Sequence, residues 1–445
     1  MKKQFLFSFL IALALTTMAC QEITSQEKTD LTEEKLVVLS DIHVMAPELL
    51  VSEGEAWTNY LNGQRKMVDY SSKLFDEMVS KIKNDLRPNL VLITGDLTKD
   101  GEQLSHDYVR AKLDELRSGG IPVLVIPGNH DLGANAGAVS FDGEGTTAVE
   151  TATNDWFATQ YVNYGYGPTS EREATTLTYA CEPIEGLVVI GIDSGSDGTL
   201  SSTTLSWVCD KARKACSQGK RVIAMMHHPL IPHVTNAETL VSSYVIDDHD
   251  HVRQSLIEAG VKVIFTGHFH TSDIAKDFDD SLTKTIYDVN TGSLISYPCD
   301  YRELAVSGDL SELRINTGHI TRLASDNTFS GDYAKNRLHS SVKQIAKEKA
   351  ENEIAERMGS LAIKLIENKI DELSGKVADA FIIHAEGNES EVDTSDIMES
   401  LELVFQFIDG TREMCESMLQ DKSPYGIEGR ENVTNDLTLS ISLAP

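Results

Sequence analysis

The sequence predicts an α/β layered domain followed by a mainly helical C-terminal region. Three observations carry that expectation. Short apolar runs alternate with stretches of helical period from Lys35 to about Leu323. After Gly331 the strand signal fades and charged helix formers take over. Five of the apolar runs end in Asp, Asn or His. The chain has 445 residues, 41% hydrophobic and 24% charged, which suits a large buried core and excludes a polytopic membrane protein. Asp and Glu number 69 against 39 Lys and Arg, for a net charge of -30. A surface that acidic repels phosphate backbones, so no nucleic-acid scaffold binding is expected, although a local cation site still captures a small anion.

The N-terminus has the order of an export signal. Lys2 and Lys3 precede an apolar run from Phe5 to Leu15, too short to span a bilayer comfortably. Ala19-Cys20 at its end resembles a bacterial lipobox, although Thr17 stands where Leu is usual and Met18 where a small residue is usual. The resemblance implies a signal peptide over residues 1–19, cleavage before Cys20 and a lipid on its sulfur. Residues 20–34 would form a polar tether to a membrane, periplasmic or at the cell surface. Ordinary export with Cys20 incidental is the other reading. The remaining five cysteines form no C-x-x-C pair, which argues against a cysteine zinc site and suits buried or free thiols.

Strands are expected at Leu36–Leu39, Leu90–Ile93, Val123–Ile126, Leu187–Ile192, Val222–Met226 and Val261–Phe265. Met67, Leu74, Met78 and Ile82 give one helical stripe between them, and Leu104, Val109, Leu113 and Leu116 another. Short runs at Thr285–Val289, Glu303–Val306, Glu312–Ile315 and His319–Leu323 predict that the sheet ends in meanders. From Gly331 to Leu419, Ile345, Ala350, Ile354, Met358, Ala362, Leu365 and Ile366 read as the buried stripe of long helices. A further helix fits Ile397–Met418, and alternation from Leu437 to Leu443 suggests a terminal strand. Residues 35–323 are thus the expected α/β domain and 324–445 the helical region, packed beside the strand-end crevice and not over it as a lid.

The chemistry sits where the strands stop. The runs lead into Ser40-Asp41-Ile42-His43, Thr94-Gly95-Asp96, Pro127-Gly128-Asn129-His130-Asp131, His227-His228-Pro229 and Thr266-Gly267-His268-Phe269-His270. In open α/β sheets the carboxyl ends of strands form the ligand crevice, so these donors should converge. Hard oxygens mixed with imidazoles suit divalent first-row metals, and the set is too rich for a single ion.

These blocks, D-x-H, G-D, G-N-H-D, H-x-P and G-H-x-H in that order, resemble the calcineurin-like metallophosphoesterases over about Lys35 to Leu323. The resemblance implies a four-layer α/β/β/α sandwich and a site for two divalent metal ions (Mn, Fe or Zn). One would take Asp41, His43 and His270, the other Asn129, His227 and His268, with Asp96 bridging. His130 would stand beside the metals and protonate the leaving oxygen or stabilise phosphate charge, oriented by Asp131 or Asp100.

One departure narrows the branch. Lys99 stands where purple acid phosphatases have a tyrosine three residues after the bridging Asp, so no iron–tyrosinate site is expected. The Gly95–Gly101 run also lacks the G-D-x-x-D-R-G of protein phosphatases, and looks more like the bacterial branch of cyclic-nucleotide phosphodiesterases and exported relatives. Trp57, Tyr60 and Arg65, in the insertion Met45–Arg65, are candidate substrate contacts, as is Arg302. The expected activity is hydrolysis of a small phosphate ester, a diester before a monoester. The alternatives are a broad phosphomonoesterase and a non-catalytic surface binding protein on the same fold.

Overall fold

The computed structural model describes residues 32–444 except 134, 237–242, 280, 388, 408–409, 421–432 and 434. The expected signal peptide and Cys20 lie outside the described residues. The principal strands are β1 (Glu34–Leu39), β2 (Leu90–Ile93), β3 (Val123–Val125), β4 (Tyr179–Ile184), β5 (Leu187–Ile192), β6 (Arg221–Met226), β7 (Val263–Thr266), β8 (Asp273–Phe278), β9 (Thr285–Asn290), β10 (Asp300–Val306), β11 (Glu312–His319) and β12 (Thr438–Ser442). One sheet runs β12-β11-β10-β1-β2-β3 and the other β8-β9-β7-β6-β5-β4, extended by the short edge strand Glu171–Arg172. Within them β1, β2 and β3 are parallel, as are β5, β6, β7 and β9. A third, three-stranded sheet joins Leu50–Ser52, Val139–Asp142 and Gly145–Ala148.

Alternation along the strands builds the layers. In β6, Ile223 and Met225 enter the core shared with the first sheet, whereas Val222, Ala224 and Met226 face the other way. In β7, Val263 and Phe265 divide from Ile264 in the same manner. The outer face of the second sheet packs on α4 (Ser202–Ser217) and α5 (His249–Ala259) through Leu205, Val208, Leu256 and Ile257, once α1 (Glu55–Asn62), α2 (Ser71–Lys81) and α3 (Gln103–Ser118) have preceded them in the chain. Leu74, Phe75 and Met78 of α2 and Val109 and Leu113 of α3 join the core of the first sheet. The result is the four-layer α/β/β/α sandwich. In α3 the expected stripe holds except at Leu104, which is 47% exposed at the first turn.

Beyond the sandwich, α6 (Gly331–Met358) and α7 (Ser360–Glu386) form a hairpin turning at Gly359. It is antiparallel: Lys335 pairs with Glu386 at 2.6 Å and Lys343 with Asp371 at 2.8 Å. Leu338 and Val342 of α6 and Ala378 and Ile382 of α7 pack together beside Tyr297. The expected buried stripe is corrected: Ile345 is 38%, Met358 72%, Leu365 86% and Ile366 41% exposed, and the buried side chains of α6 are Ala334, Leu338 and Val342 instead. The single helix expected over Ile397–Met418 is two, α8 (Ser395–Phe407) and α9 (Thr411–Gln420). Gly410, at φ 81°, starts α9 from a left-handed conformation that no continuing helix adopts. Residues 320–323 are not a strand, since β11 ends at His319. The terminal strand is present as β12, and it pairs with β11, returning the chain to the first sheet. Among the described residues no helix is long and apolar enough to cross a membrane.

Candidate metal centre

Five parallel strand ends deliver the polar blocks to one place. Asp41 and His43 follow β1, Asp96 follows β2, Asn129 and His130 follow β3, His227 follows β6, and His268 and His270 follow β7. The two sheets are joined there: Thr94 Oγ1 donates to Thr266 O at 3.3 Å, and His227 Nδ1 lies 2.9 Å from Thr94 O. Asp41, His43, Asp96, His268 and His270 all have positive φ, between 38° and 68°. Non-glycine residues avoid that region, and clusters of them are held where a site over-determines the backbone. Gly267 is needed for approach, because a Cβ there would overlap Ser40 Oγ.

The donors fall into two groups around one carboxylate. Asp41 Oδ1 and His43 Nε2 each lie 3.2 Å from His270 Nε2, and Asp41, His43, Asp96 and His270 offer ligand atoms within 4.8 Å of one another. On the other side, Asn129 Oδ1 is 2.9 Å from His227 Nε2 and 3.0 Å from His268 Nδ1. Asp96 Oδ2 lies between, 3.4 Å from His43 Nε2 and 3.4 Å from His227 Nε2.

Surrounding bonds aim these atoms. The Thr94 carbonyl fixes His227 with its Nε2 towards Asp96 and Asn129. Ser40 Oγ and the His268 N–H donate to Asp41 Oδ2 at 2.6 and 3.0 Å, while Asp41 Oδ1 is buried and accepts no hydrogen bond. His268 Nε2 is likewise buried and unpartnered. The orphaned Asp41 Oδ1, buried beside the His43 and His270 imidazoles, fits a cation.

Charge states agree. Burial would raise the Asp96 carboxyl, but His227, His130 and His43 outweigh it and hold the group well below its usual range. Asp41 is lowered too, since His270 and His227 overcome burial. Burial and the Lys66 ammonium push His43 well below the usual imidazole value, and burial with His227 takes His268 down to about 3. His227 goes the other way: burial would lower it, yet Asp96 carries it up to about 9. Neutral imidazoles and ionised carboxylates are the forms that ligate metal, and only His227 must release a proton to join them.

His130 is placed by Asp100 and not by Asp131. Its Nδ1 is 2.8 Å from Asp100 Oδ1 and 2.9 Å from Lys99 O. The Asp131 carboxylate instead accepts the N–H groups of Gly128, Leu97 and Thr98 at 2.8 to 3.0 Å, stapling the loops after β2 and β3. His228 is a buried neighbour, 2.8 Å from Ser194 Oγ. Lys99 is buried and pairs with Asp100 and Glu102 at 2.7 and 2.8 Å.

The expected substrate contacts divide. Arg302 is fully buried, and it donates to Asn290 O at 2.7 Å and to Thr317 Oγ1 and Asp436 O. The expectation that it meets substrate is therefore corrected: its guanidinium is held by the main-chain carbonyls of Asn290 and Asp436 and by the Thr317 hydroxyl. Trp57 packs on Tyr60 and Phe141, with ring centroids 5.7 and 4.9 Å away. Arg65 is exposed and lines a small cavity with His270, Phe269, Tyr297, Leu338 and Phe381. Its neighbour Lys66, which no motif signals, reaches the centre itself: Nζ is 3.4 Å from both ring nitrogens of His43.

A double-sheet sandwich whose strand ends gather this donor set defines a metal-dependent phosphoric ester hydrolase. The chain belongs to the calcineurin-like phosphoesterase family, whose model matches residues 34–272. It is 22% identical over 254 residues to a protein of Fibrobacter succinogenes named as a probable cyclic nucleotide phosphodiesterase, covering 57% of this chain and 77% of that one. It is 23% identical over 223 residues to a cAMP/cGMP dual specificity phosphodiesterase of Mycobacterium tuberculosis, covering 48% of this chain and 60% of the relative. Among solved structures, a dimetal phosphatase from Danio rerio aligns with a TM-score of 0.44 at 13% identity, over 64% of this chain and 96% of that one.

Proposed function

We propose that the chain is an exported dinuclear-metal phosphodiesterase. Asp41, His43 and His270 would hold one divalent cation, Asn129, His227 and His268 a second, and Asp96 would serve both. The observation that carries this reading is the equal 3.4 Å spacing of Asp96 Oδ2 from His43 Nε2 and His227 Nε2. Two close cations need an anion between them, and one carboxylate stands between two donor groups. Mn, Fe or Zn suits the mixture of carboxylate, amide and imidazole. Bound there, the ions supply Lewis acidity towards phosphoryl oxygens and the acidity that makes water a nucleophile at neutral pH.

His130 delivers the proton to the leaving oxygen. With Nδ1 held by Asp100 and Lys99 O, its Nε2 is the nitrogen left to face a substrate. That proton matters most for alkoxide leaving groups such as a ribose or glycerol oxygen, which is where a diester differs from an activated aryl ester. The names of the Fibrobacter and Mycobacterium relatives support cyclic nucleotides as the substrate class. The Lys2-Lys3 start, the apolar run and Cys20 support export and a lipid anchor at a membrane.

The test is hydrolysis of cyclic AMP, bis-p-nitrophenyl phosphate and p-nitrophenyl phosphate by Mn-loaded protein, with metal content measured on the same sample. Metal-dependent turnover with the diesters preferred is expected. Protein that retains its ions and hydrolyses none of the three overturns the reading.

A further inference from the structure

We propose that Lys66 is the residue that takes the phosphoryl group of the substrate, held at the centre by the C-terminal helix α6. Its ammonium is 3.4 Å from both His43 ring nitrogens, and His43 Nε2 is in turn 3.4 Å from Asp96 Oδ2. The side chain therefore ends among the candidate metal ligands. Among the described residues no carboxylate lies within salt-bridge distance of Lys66 Nζ, whereas the buried Lys99 is paired twice. A chain of net charge -30 that admits an anion needs a local positive point at its site, and an ammonium with no carboxylate partner is one. An ammonium and two divalent cations repel one another unless an anion sits between them. A phosphoryl group, with oxygens to offer both sides, meets that requirement.

The backbone that presents Lys66 is held from two directions. Met67 N donates to Ile295 O at 2.7 Å, on the segment between β9 and β10. From α6, Ser341 Oγ donates to Gln64 O at 3.2 Å, Arg337 Nη2 to Leu61 O at 3.4 Å, and Arg337 pairs with Asp69 at 3.7 Å. Bonds at 61, 64, 67 and 69 bracket the lysine. Arg337 and Ser341 are thus positioning residues, and the helical region contributes to the site through the segment it grips.

This assignment rests on the phosphoesterase reading, and the experiment separates the two. Lys66→Met and Lys66→Arg are compared with the parent as metal-loaded full-length protein. The readouts are metal content, calorimetric affinity for inorganic phosphate, and KM against kcat on bis-p-nitrophenyl phosphate. A hydrogen bond to a charged group is worth about 1.5–3 kcal/mol, so Lys66→Met should weaken phosphate binding about tenfold to a hundredfold at unchanged metal content. Lys66→Arg should recover part of it. Phosphate affinity within about twofold of the parent in metal-loaded Lys66→Met overturns the proposal, as does a variant that gains metal affinity and keeps its phosphate affinity, because the lysine would then only fill a cation's place. Parent protein that binds phosphate but hydrolyses no ester defeats the phosphoesterase reading and leaves the Lys66 comparison decisive.

Discussion

His130 Nδ1 stands 2.8 Å from Asp100 Oδ1, four residues past the carboxylate that lies between the two donor groups. The His130 main-chain N–H donates to that carboxylate, Asp96 Oδ1, also at 2.8 Å. One residue is thereby tied by its backbone to the centre and by its ring to a second acid. His130→Ala should keep its metals and lose about 10²–10⁴-fold in rate on alkyl diesters, and less on nitrophenyl esters whose leaving group needs little acid help. Asp100→Asn should shift the same ratio in the same direction by a smaller factor. Equal slowing of both substrate types would count against proton delivery by His130.

Asp96→Asn should abolish turnover and lower the metal content per chain. An amide keeps the shape and removes the charge that two cations would share. Elemental analysis alongside the rate decides it, and full occupancy with near-normal turnover would disprove the bridge.

His233 predicts a pH dependence of stability. Its Nδ1 is 2.9 Å from Asp273 Oδ1 and its Nε2 3.4 Å from Asp288 Oδ2, all three buried. Burial would lower the imidazole, but the two carboxylates outweigh it and carry it from 6.5 up to about 10. A raised histidine contributes its full stabilisation below the unfolded value and loses it as pH rises through the folded one. The unfolding free-energy difference between the parent and His233→Gln should be constant below about pH 6 and shrink from about pH 7 to about pH 10, read by denaturant titration. A difference that grows with pH would reverse the assignment.

Cys20→Ser should move the protein from the membrane fraction to the soluble fraction, or leave it as an unprocessed precursor. Membrane attachment unchanged in that variant would remove the lipid anchor.

The convergence of the candidate metal ligands was legible because its signal is local: a buried strand, a glycine or polar turn, then donors, repeated five times. Parallel strands put such ends on one edge without any knowledge of side-chain contacts. Arg302 shows where locality fails. Its carbonyl partners are 12 and 134 residues away, so nothing near it in sequence says that its charge is already used. Lys66 fails the other way, since its arrival at His43 depends on α6 and on Ile295. The stripe through Leu365 marks the apolar face of a helix, but helical period carries no information about whether another element covers that face.

The return of β12 to the edge of β11 has a consequence for the order of folding. The sheet that supplies Asp41 and Asp96 begins with residues near the start of the described chain and is completed by residues 438–442. A chain emerging from its N-terminus can pair β1 with β2 early, yet β10 and β11 wait some two hundred residues, and their outer edge stays open until the final strand arrives. Such distant pairing is slow, and an unpaired edge invites another chain to add to it. Loss of the last few residues by nicking should therefore show itself first as self-association, before any loss of the metal centre.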